Sequence, residues 1–164
     1  MARPERFIVD GEGWSDEKTA EVCRRILTAL APHAHMFECD IPGDPEKPAD
    51  WPAPEVAAAA RLLRSFPNRR RRIENDSYAG SGDLPAERED LWAAFVTFAP
   101  HAFDATVWDL LGYAIVDLAD EAQSIVVRLR PQQVEELTMI VGANRLIPYR
   151  KWSRIRRERR KVKS

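Results

Sequence analysis

The strongest constraint on the fold is a pair of strand-forming segments separated by a short polar turn. Residues 113–118 read Tyr-Ala-Ile-Val-Asp-Leu and residues 124–129 read Ser-Ile-Val-Val-Arg-Leu, and both are rich in the residue types that strands favour. The segment between them is mostly polar, and its length suits a hairpin connection. The pattern therefore predicts two adjacent antiparallel strands, and with them an antiparallel sheet as the framework of the domain.

The first forty residues predict a strand, a helix and a second strand. Residues 7–9 are apolar and are followed by a turn-forming Asp-Gly-Glu-Gly segment. Ser15 stands where a helix N-cap belongs, and Pro32 ends the predicted helix. Residues 34–39 are short enough for a second strand. Between Ser15 and Pro32, apolar residues recur with helical spacing at Cys23, Ile26, Leu27 and Leu30.

The middle of the chain is expected to contain loops and short elements. Residues 40–54 hold five prolines among four acidic residues, which predicts an extended acidic loop. Pro54 is expected to begin a helix that reaches about residue 66. Residues 69–73 then suit a strand with exposed arginines, and residues 75–83 suit a flexible surface loop.

Two interpretations are open for residues 84–99. Acidic residues near the beginning favour a helix, whereas the apolar run 94–98 equally suits a buried strand, so we expect a helical beginning and a strand-like end. Residues 106–108 suit a further strand beside the hairpin. Pro131 is expected to begin a last helix, and Gly142 to end it.

These elements together predict a single α+β domain with a mainly antiparallel sheet of four to six strands and three or four packing helices. The length of 164 residues and the hydrophobic content of 45% suit one domain with a substantial core. The chain has no apolar run of about 18 residues and no signal-peptide pattern, so we expect no membrane span. Its two cysteines do not make a disulfide framework, which favours a cytoplasmic protein.

Charge divides the chain into two parts of opposite sign. The tail, residues 150–164, holds nine basic residues and one acidic residue, a net charge of +8. Residues 1–149 hold 16 basic and 25 acidic residues, a net charge of −9. The formal net charge of −1 therefore describes neither part. We expect an acidic domain joined to a basic C-terminal tail or helix, each with partners of its own.

The favoured functional hypothesis is a non-enzymatic binding protein whose acidic loops engage a basic protein partner. Exposed carboxylates steer a basic surface towards the domain, and aromatic side chains supply binding energy at interfaces. Toxin-neutralising and adaptor proteins of bacteria act in this general way. Trp51 equally suits a loop residue that packs on the core. The expected partner-binding residues are Asp40, Asp44, Glu46, Asp50, Trp51 and Tyr78.

An alternative hypothesis assigns the basic tail to RNA or DNA. Arginine donates paired hydrogen bonds to phosphate, an aromatic ring can stack on a base, and counterion release makes such binding independent of base sequence. The tail equally suits a solvated, partly disordered terminus that aids solubility or folds back on the acidic body. If helical, it aligns Trp152, Ile155, Arg159 and Val162 in one stripe. The expected nucleic-acid-binding residues are Arg69, Arg70, Arg71, Arg72, Arg150, Lys151, Trp152, Arg154, Arg156, Arg157, Arg159, Arg160 and Lys161.

A second alternative is a metal-dependent enzyme. On a strand, His33, His35 and Cys39 would share one face, and two imidazoles with a thiolate suit zinc. Against this, the sequence has no second paired ligand motif, and buried cysteines are common in protein cores. The residues that could complete the ligand set are Cys23, His101 and Asp104.

The glycine-containing turns predict no cofactor. The turn at residues 11–13 is followed by two carboxylates, which repel phosphate, and it lacks a third glycine. The turn at residues 80–82 lacks the Gly-Lys-Ser/Thr ending of a nucleotide-binding loop. No set of catalytic residues is predicted, and an enzyme is the less favoured class.

Overall fold

A computed structural model describes residues 3–42, 51–65, 78–80 and 82–162. These residues form the strands Glu5–Val9 (β1), Met36–Pro42 (β2), Tyr78–Gly80 (β3), Leu84–Pro85 (β4), Asp104–Trp108 (β5), Ala114–Ala119 (β6), Ser124–Leu129 (β7) and Leu146–Pro148 (β8). They also form the helices Asp16–Leu30 (α1), Ala53–Arg64 (α2), Glu89–Phe98 (α3), Pro131–Val141 (α4) and Tyr149–Val162 (α5). Within these ranges, no helix is long and apolar enough to cross a membrane.

The strands form one antiparallel sheet with the order β3-β2-β5-β6-β7-β1-β8, and β4 pairs with β2 outside this order. The predicted hairpin is confirmed as β6 and β7, which pair from Val116 opposite Val127 to Ala119 opposite Ser124. The prediction of an α+β fold with an antiparallel sheet is also confirmed. The predicted number of four to six strands is wrong, because seven strands follow one another across the sheet.

The unpredicted strands are too short to show a pattern in the sequence. β3 and β8 have three residues each, and β4 has two. Segments of this length show too little alternation to be distinguished from a loop. Their pairing partners define them instead, because β3 and β4 pair with β2 and β8 pairs with β1.

Helices α1–α4 contribute to one core on one face of the sheet, which we call the inner face. α1 begins at Ser15, whose hydroxyl oxygen accepts a hydrogen bond from the Lys18 amide at 3.1 Å, as an N-cap should. Its apolar stripe is buried, with Ile26 and Leu27 fully enclosed. Buried side chains of the strands and of all four helices join in a single hydrophobic cluster. The other side of the sheet is the outer face.

Residues 94–98 are helical, so the predicted strand-like end of this segment is wrong. They complete α3, in which Leu91, Phe95 and Phe98 recur at helical spacing and are buried in the core. α3 also packs along α2. The strand propensity of the apolar run is therefore overridden by tertiary packing.

The second strand lies later than predicted. β2 begins at Met36 and continues to Pro42, so the first residues of the predicted acidic loop belong to the sheet. The strand–helix–strand order is confirmed, but β1 and β2 are not neighbours, because β1 pairs with β7 and β8. The strand predicted over residues 69–73 and most of the predicted acidic loop lie outside the described residues.

Candidate functional site

The outer face of the sheet separates acidic from basic side chains. Cross-strand pairing places Glu38 opposite Thr106, and Thr106 opposite Asp117. Further along the sheet, β1 and β7 carry Arg6 and Arg128. The charge of the outer face thus changes from negative to positive across the sheet. The acidic end consists of Glu38, Asp40, Asp104 and Asp117.

Two carboxyl groups at the acidic end have a raised pKa, chiefly because they are partly buried. Burial raises the pKa of Asp40 above its usual range, and the charge of Asp104 raises it further. Burial likewise raises the pKa of Asp104, and Asp120 adds to the effect. Burial is the larger cause of both shifts, and the smaller, electrostatic cause places a second carboxylate near each group. A phosphate group is repelled there, whereas a cationic group is attracted.

At the basic end, two arginines lie directly opposite each other. Arg6 on β1 pairs in register with Arg128 on β7. The Arg6 guanidinium carbon lies 4.2 Å from the centre of the Tyr149 ring, and that of Arg128 lies 5.8 Å from the Tyr113 ring centre. Within the described part of the chain, neither arginine forms an ion pair with a carboxylate. This end of the sheet is therefore suited to an anion.

The basic tail forms helix α5, which follows β8 directly and contacts β1. Trp152, Ser153 and Ile155 are half-buried and mark the side of α5 that faces the domain. This agrees with the first half of the stripe predicted for a helical tail. Among the side chains that the structure describes, the basic ones of α5 exposed to solvent are Arg150, Lys151, Arg154, Arg156, Arg157 and Lys161. The side chains of Arg159 and Arg160, which belong to the predicted set, lie outside the described part.

A groove of about 710 Å³ separates the first turns of α5 from the sheet. Trp152 and Arg156 line it from the helix, and Arg6 and Val126 line it from the outer face. The loop between β1 and α1 also lines the groove. The groove thus combines guanidinium groups with aromatic rings, which are the two side-chain types that bind phosphates and bases.

The loop between β1 and α1 is fixed by Arg145. The Nη1 atom of Arg145 donates hydrogen bonds to the carbonyl oxygens of Asp10 and Glu12, at 2.9 and 2.6 Å. The guanidinium also lies over the Trp14 ring, 5.2 Å from its centre. The wall of the groove is therefore held in place before any ligand binds.

The residues predicted to bind a protein partner do not form one described surface. Asp40 lies on β2, at the acidic end of the outer face. Trp51 packs against Phe98 and His101, with ring centres 5.1 and 5.6 Å apart, so its place is on the core. Tyr78 lies in β3. The remaining members of the predicted set, Asp44, Glu46 and Asp50, lie outside the described residues, as do the side chain of Tyr78 and the cluster Arg69, Arg70, Arg71 and Arg72.

The three residues of the metal hypothesis are not brought together on a strand. His33 belongs to a 3₁₀ turn, Ala31–His33, and His35 precedes β2. Cys39 is buried in the core. Burial also raises the pKa of the Cys23 thiol to about 12, which disfavours a thiolate ligand or nucleophile. Across the described ranges, no three His, Cys, Asp or Glu side chains are grouped to hold a metal ion.

A polar cluster that the sequence does not predict joins α1, α2, the end of α3 and the 3₁₀ turn Ala99–His101 that follows it. Arg24 donates to the Glu55 Oε1 atom at 2.8 Å and to the Thr97 carbonyl oxygen at 3.1 Å. The His101 Nε2 atom lies 4.0 Å from the same Glu55 oxygen. Glu55 Oε2 is buried and has no hydrogen-bond partner among the described atoms. The residues of this cluster do not line the groove beside α5. Their contacts tie helices together.

No protein-family model matches the chain, and comparisons with curated proteins and with solved structures find no similar protein. The fold and the site define a structural class. The chain is an α+β protein in which an antiparallel sheet carries helices on one face and a basic helix at one edge.

Proposed function

We propose that this chain is a nucleic-acid-binding protein that binds RNA or DNA phosphates along α5 and the adjoining basic end of the outer face. The observation that carries the proposal is the exposed positive charge of three residues in the first turns of α5. Arg150, Lys151 and Arg154 are exposed, and none of them takes part in the ion pairs formed among the described residues. Exposed guanidinium and ammonium groups in this number are what a phosphate backbone neutralises.

The shape and the charge of the domain favour a polyanion over a small acidic ligand. α5 has 14 residues, which corresponds to a length of about 20 Å and can span several consecutive phosphates. The acidic end of the sheet repels the same phosphates. Nucleic acid is therefore directed to one edge of the domain, and this orientation comes from long-range charge and not from base contacts.

Removal of three charges from α5 should weaken nucleic-acid binding and its salt dependence together. For the triple variant Arg150→Gln, Lys151→Gln, Arg154→Gln, we expect at least a tenfold loss of affinity at low salt. The slope of log K against log salt concentration should fall by about 2 for a single strand, because each phosphate contact contributes about 0.7. Fluorescence anisotropy of a labelled 16-nucleotide RNA and of the same sequence as DNA measures both quantities.

A matched variant separates a local effect from net charge. Lys18→Gln, Arg25→Gln, Arg64→Gln removes the same charge from exposed positions on α1 and α2. We expect its salt slope to equal that of the unaltered protein. The proposal is wrong if the unaltered protein binds neither nucleic acid at about 100 mM salt, or if both triple variants lose affinity equally.

A second function, binding of a basic protein surface, is proposed for the acidic end of the outer face. The grouping of Glu38, Asp104 and Asp117 on the neighbouring strands β2, β5 and β6 supports it. Electrostatic complementarity of this kind promotes association with cationic partners. This second proposal therefore assigns the basic partner to β2, β5 and β6 and not to the acidic loops. Trp51 is not part of the proposed surface, because it packs on the core.

Neutralisation of the acidic end should weaken binding of a cationic probe. We expect Asp104→Asn, Asp117→Asn to bind a labelled ten-residue lysine peptide at least fivefold more weakly than the unaltered protein, by anisotropy at low salt. The matched variant Glu135→Gln, Glu136→Gln removes two exposed carboxylates from α4. Equal weakening by the two pairs would mean that only net charge matters and would remove this second proposal.

A further inference from the structure

Four side chains form a row across the basic end of the outer face. Arg6 and Arg128 are direct cross-strand neighbours on β1 and β7. Tyr149 follows β8 and stands beside Arg6, and Tyr113 precedes β6 and stands beside Arg128. We call Tyr113, Arg128, Arg6 and Tyr149 the arginine–tyrosine row. It crosses four strands, which corresponds to about 15 Å at the usual strand spacing.

The row is unfavourable for the isolated domain. Like charges directly opposite each other on neighbouring strands destabilise a sheet. Each of the two guanidinium groups contacts an aromatic ring. Neither forms an ion pair with a carboxylate of the described residues. Tyr113 and Tyr149 meanwhile expose 49% and 39% of their surface. A ligand that supplies negative charge and flat aromatic surface would satisfy both pairs of residues at once.

We infer that the arginine–tyrosine row binds a single-stranded segment of nucleic acid, with bases stacked on the tyrosines and phosphates bound by the arginines. This inference rests on the proposed nucleic-acid function and adds the form of nucleic acid to it. Stacking on an aromatic side chain tolerates any base, because every base has a π-face. In a duplex those faces are covered by neighbouring base pairs, so only an unpaired strand can use the row.

The position of the row relative to α5 connects the two binding surfaces. Arg6 and Tyr149 belong to the row and also line the α5 groove, together with Trp152 and Arg156. A nucleic-acid strand bound across the row therefore continues along the groove towards the exposed basic residues of α5. The acidic end of the sheet limits its path in the other direction.

A comparison of single and double strands tests the inference. We expect the unaltered protein to bind a labelled 16-nucleotide single strand at least tenfold more tightly than the duplex of the same sequence. Tyr113→Leu, Tyr149→Leu should reduce single-strand affinity at least tenfold, because stacking contributes about fivefold or more per base, and should change duplex affinity less than twofold. Phe103→Leu is the matched control, because Phe103 is an exposed aromatic residue at the acidic side of the sheet.

A second variant guards against a folding defect in the tyrosine pair. Arg128→Gln removes the charge and keeps an unbranched polar side chain. It should lower single-strand affinity about fivefold or more, since each phosphate contact carries a similar electrostatic contribution. The unfolding midpoint should not fall, because the substitution also removes the repulsion between Arg128 and Arg6. If single and double strands bind equally, or if neither row variant alters binding while the α5 triple variant does, the inference is wrong and the proposed function stands. If the unaltered protein binds no nucleic acid, both are wrong.

Discussion

Replacement of Arg24 by methionine is expected to lower the free energy of unfolding by about 3 kcal/mol at neutral pH. Arg24 is the cation that contacts the Glu55 carboxylate, whose side chain is about nine-tenths buried. Without it, a buried charge is left with no compensating partner at hydrogen-bond distance. We expect the lower end of the range for broken buried pairs, because the Arg24 side chain is about a third exposed. Urea unfolding followed by circular dichroism measures the change.

The same pair supports a double-mutant cycle. Glu55→Gln removes the charge and keeps the size of the side chain, so the double variant Arg24→Met, Glu55→Gln buries no unpaired ion. We expect the double variant to be more stable than Arg24→Met alone. If the two substitutions are additive, the ion pair has no coupling energy, and our account of the cluster is wrong.

His101 gives the Arg24 variant a dependence on pH. Burial lowers the pKa of His101 from its ordinary value of 6.5, Glu55 opposes this shift, and Arg24 adds to it. A histidine with a lowered pKa in the folded chain stabilises the fold above its unfolded pKa and loses that contribution as the pH falls towards the folded value. Removal of Arg24 makes protonation easier and gives Glu55 a cation 4.0 Å away. The stability deficit of the variant should therefore be smaller at about pH 5 than at pH 7.

Local patterns in the sequence predict the elements that carry their own signal. The β6–β7 hairpin has two β-branched segments around a polar turn, and α1 has a cap and an apolar stripe. Both patterns are complete within a few residues. Residues 94–98 have no such local pattern, because an apolar run of five residues suits a helix as well as a strand. Their packing against α2 decides in favour of the helix.

The surfaces to which we assign the two proposed functions differ in the same respect. The positive charge of α5 is evident from composition, since it lies in one continuous segment. The arginine–tyrosine row is not evident from composition, because Arg6 and Arg128 are 122 positions apart in the chain. The register of β1 and β7 makes them neighbours. The acidic end of the sheet likewise depends on the pairing of β2, β5 and β6. Long-range pairing is the information that sequence periodicity lacks.

We expect the two faces of the sheet to have separate roles. Side chains on the inner face hold the fold together, and those on the outer face are arranged by charge. Because residues alternate between faces along each strand, Phe7 serves the core while its neighbour Arg6 lines the groove. A substitution on the inner face should therefore change stability and leave nucleic-acid affinity per folded molecule unaltered.

Phe37→Ala provides that test and should have the largest effect on stability, a loss of about 3–5 kcal/mol. Phe37 is fully buried on β2, and its ring centre lies 4.4 Å from that of Phe95 and 5.6 Å from that of Trp92 on α3. Truncation removes apolar contacts and leaves a cavity between the sheet and α3. The measurement is urea unfolding, with the m-value unchanged if only stability is affected.

Phe103→Ala is the matched control, because the same truncation is made at a residue that is 45% exposed. We expect a loss below about 1 kcal/mol there, since much of the ring already contacts water. At concentrations of urea where Phe37→Ala is still folded, its affinity for a single-stranded probe should match that of the unaltered protein. A loss of less than about 1 kcal/mol for Phe37→Ala would contradict the packing of β2 on α3. A fall in affinity without unfolding would show instead that the inner and outer faces are coupled, because the described ring contacts of Phe37 are with Phe95 and Trp92 and not with the arginine–tyrosine row.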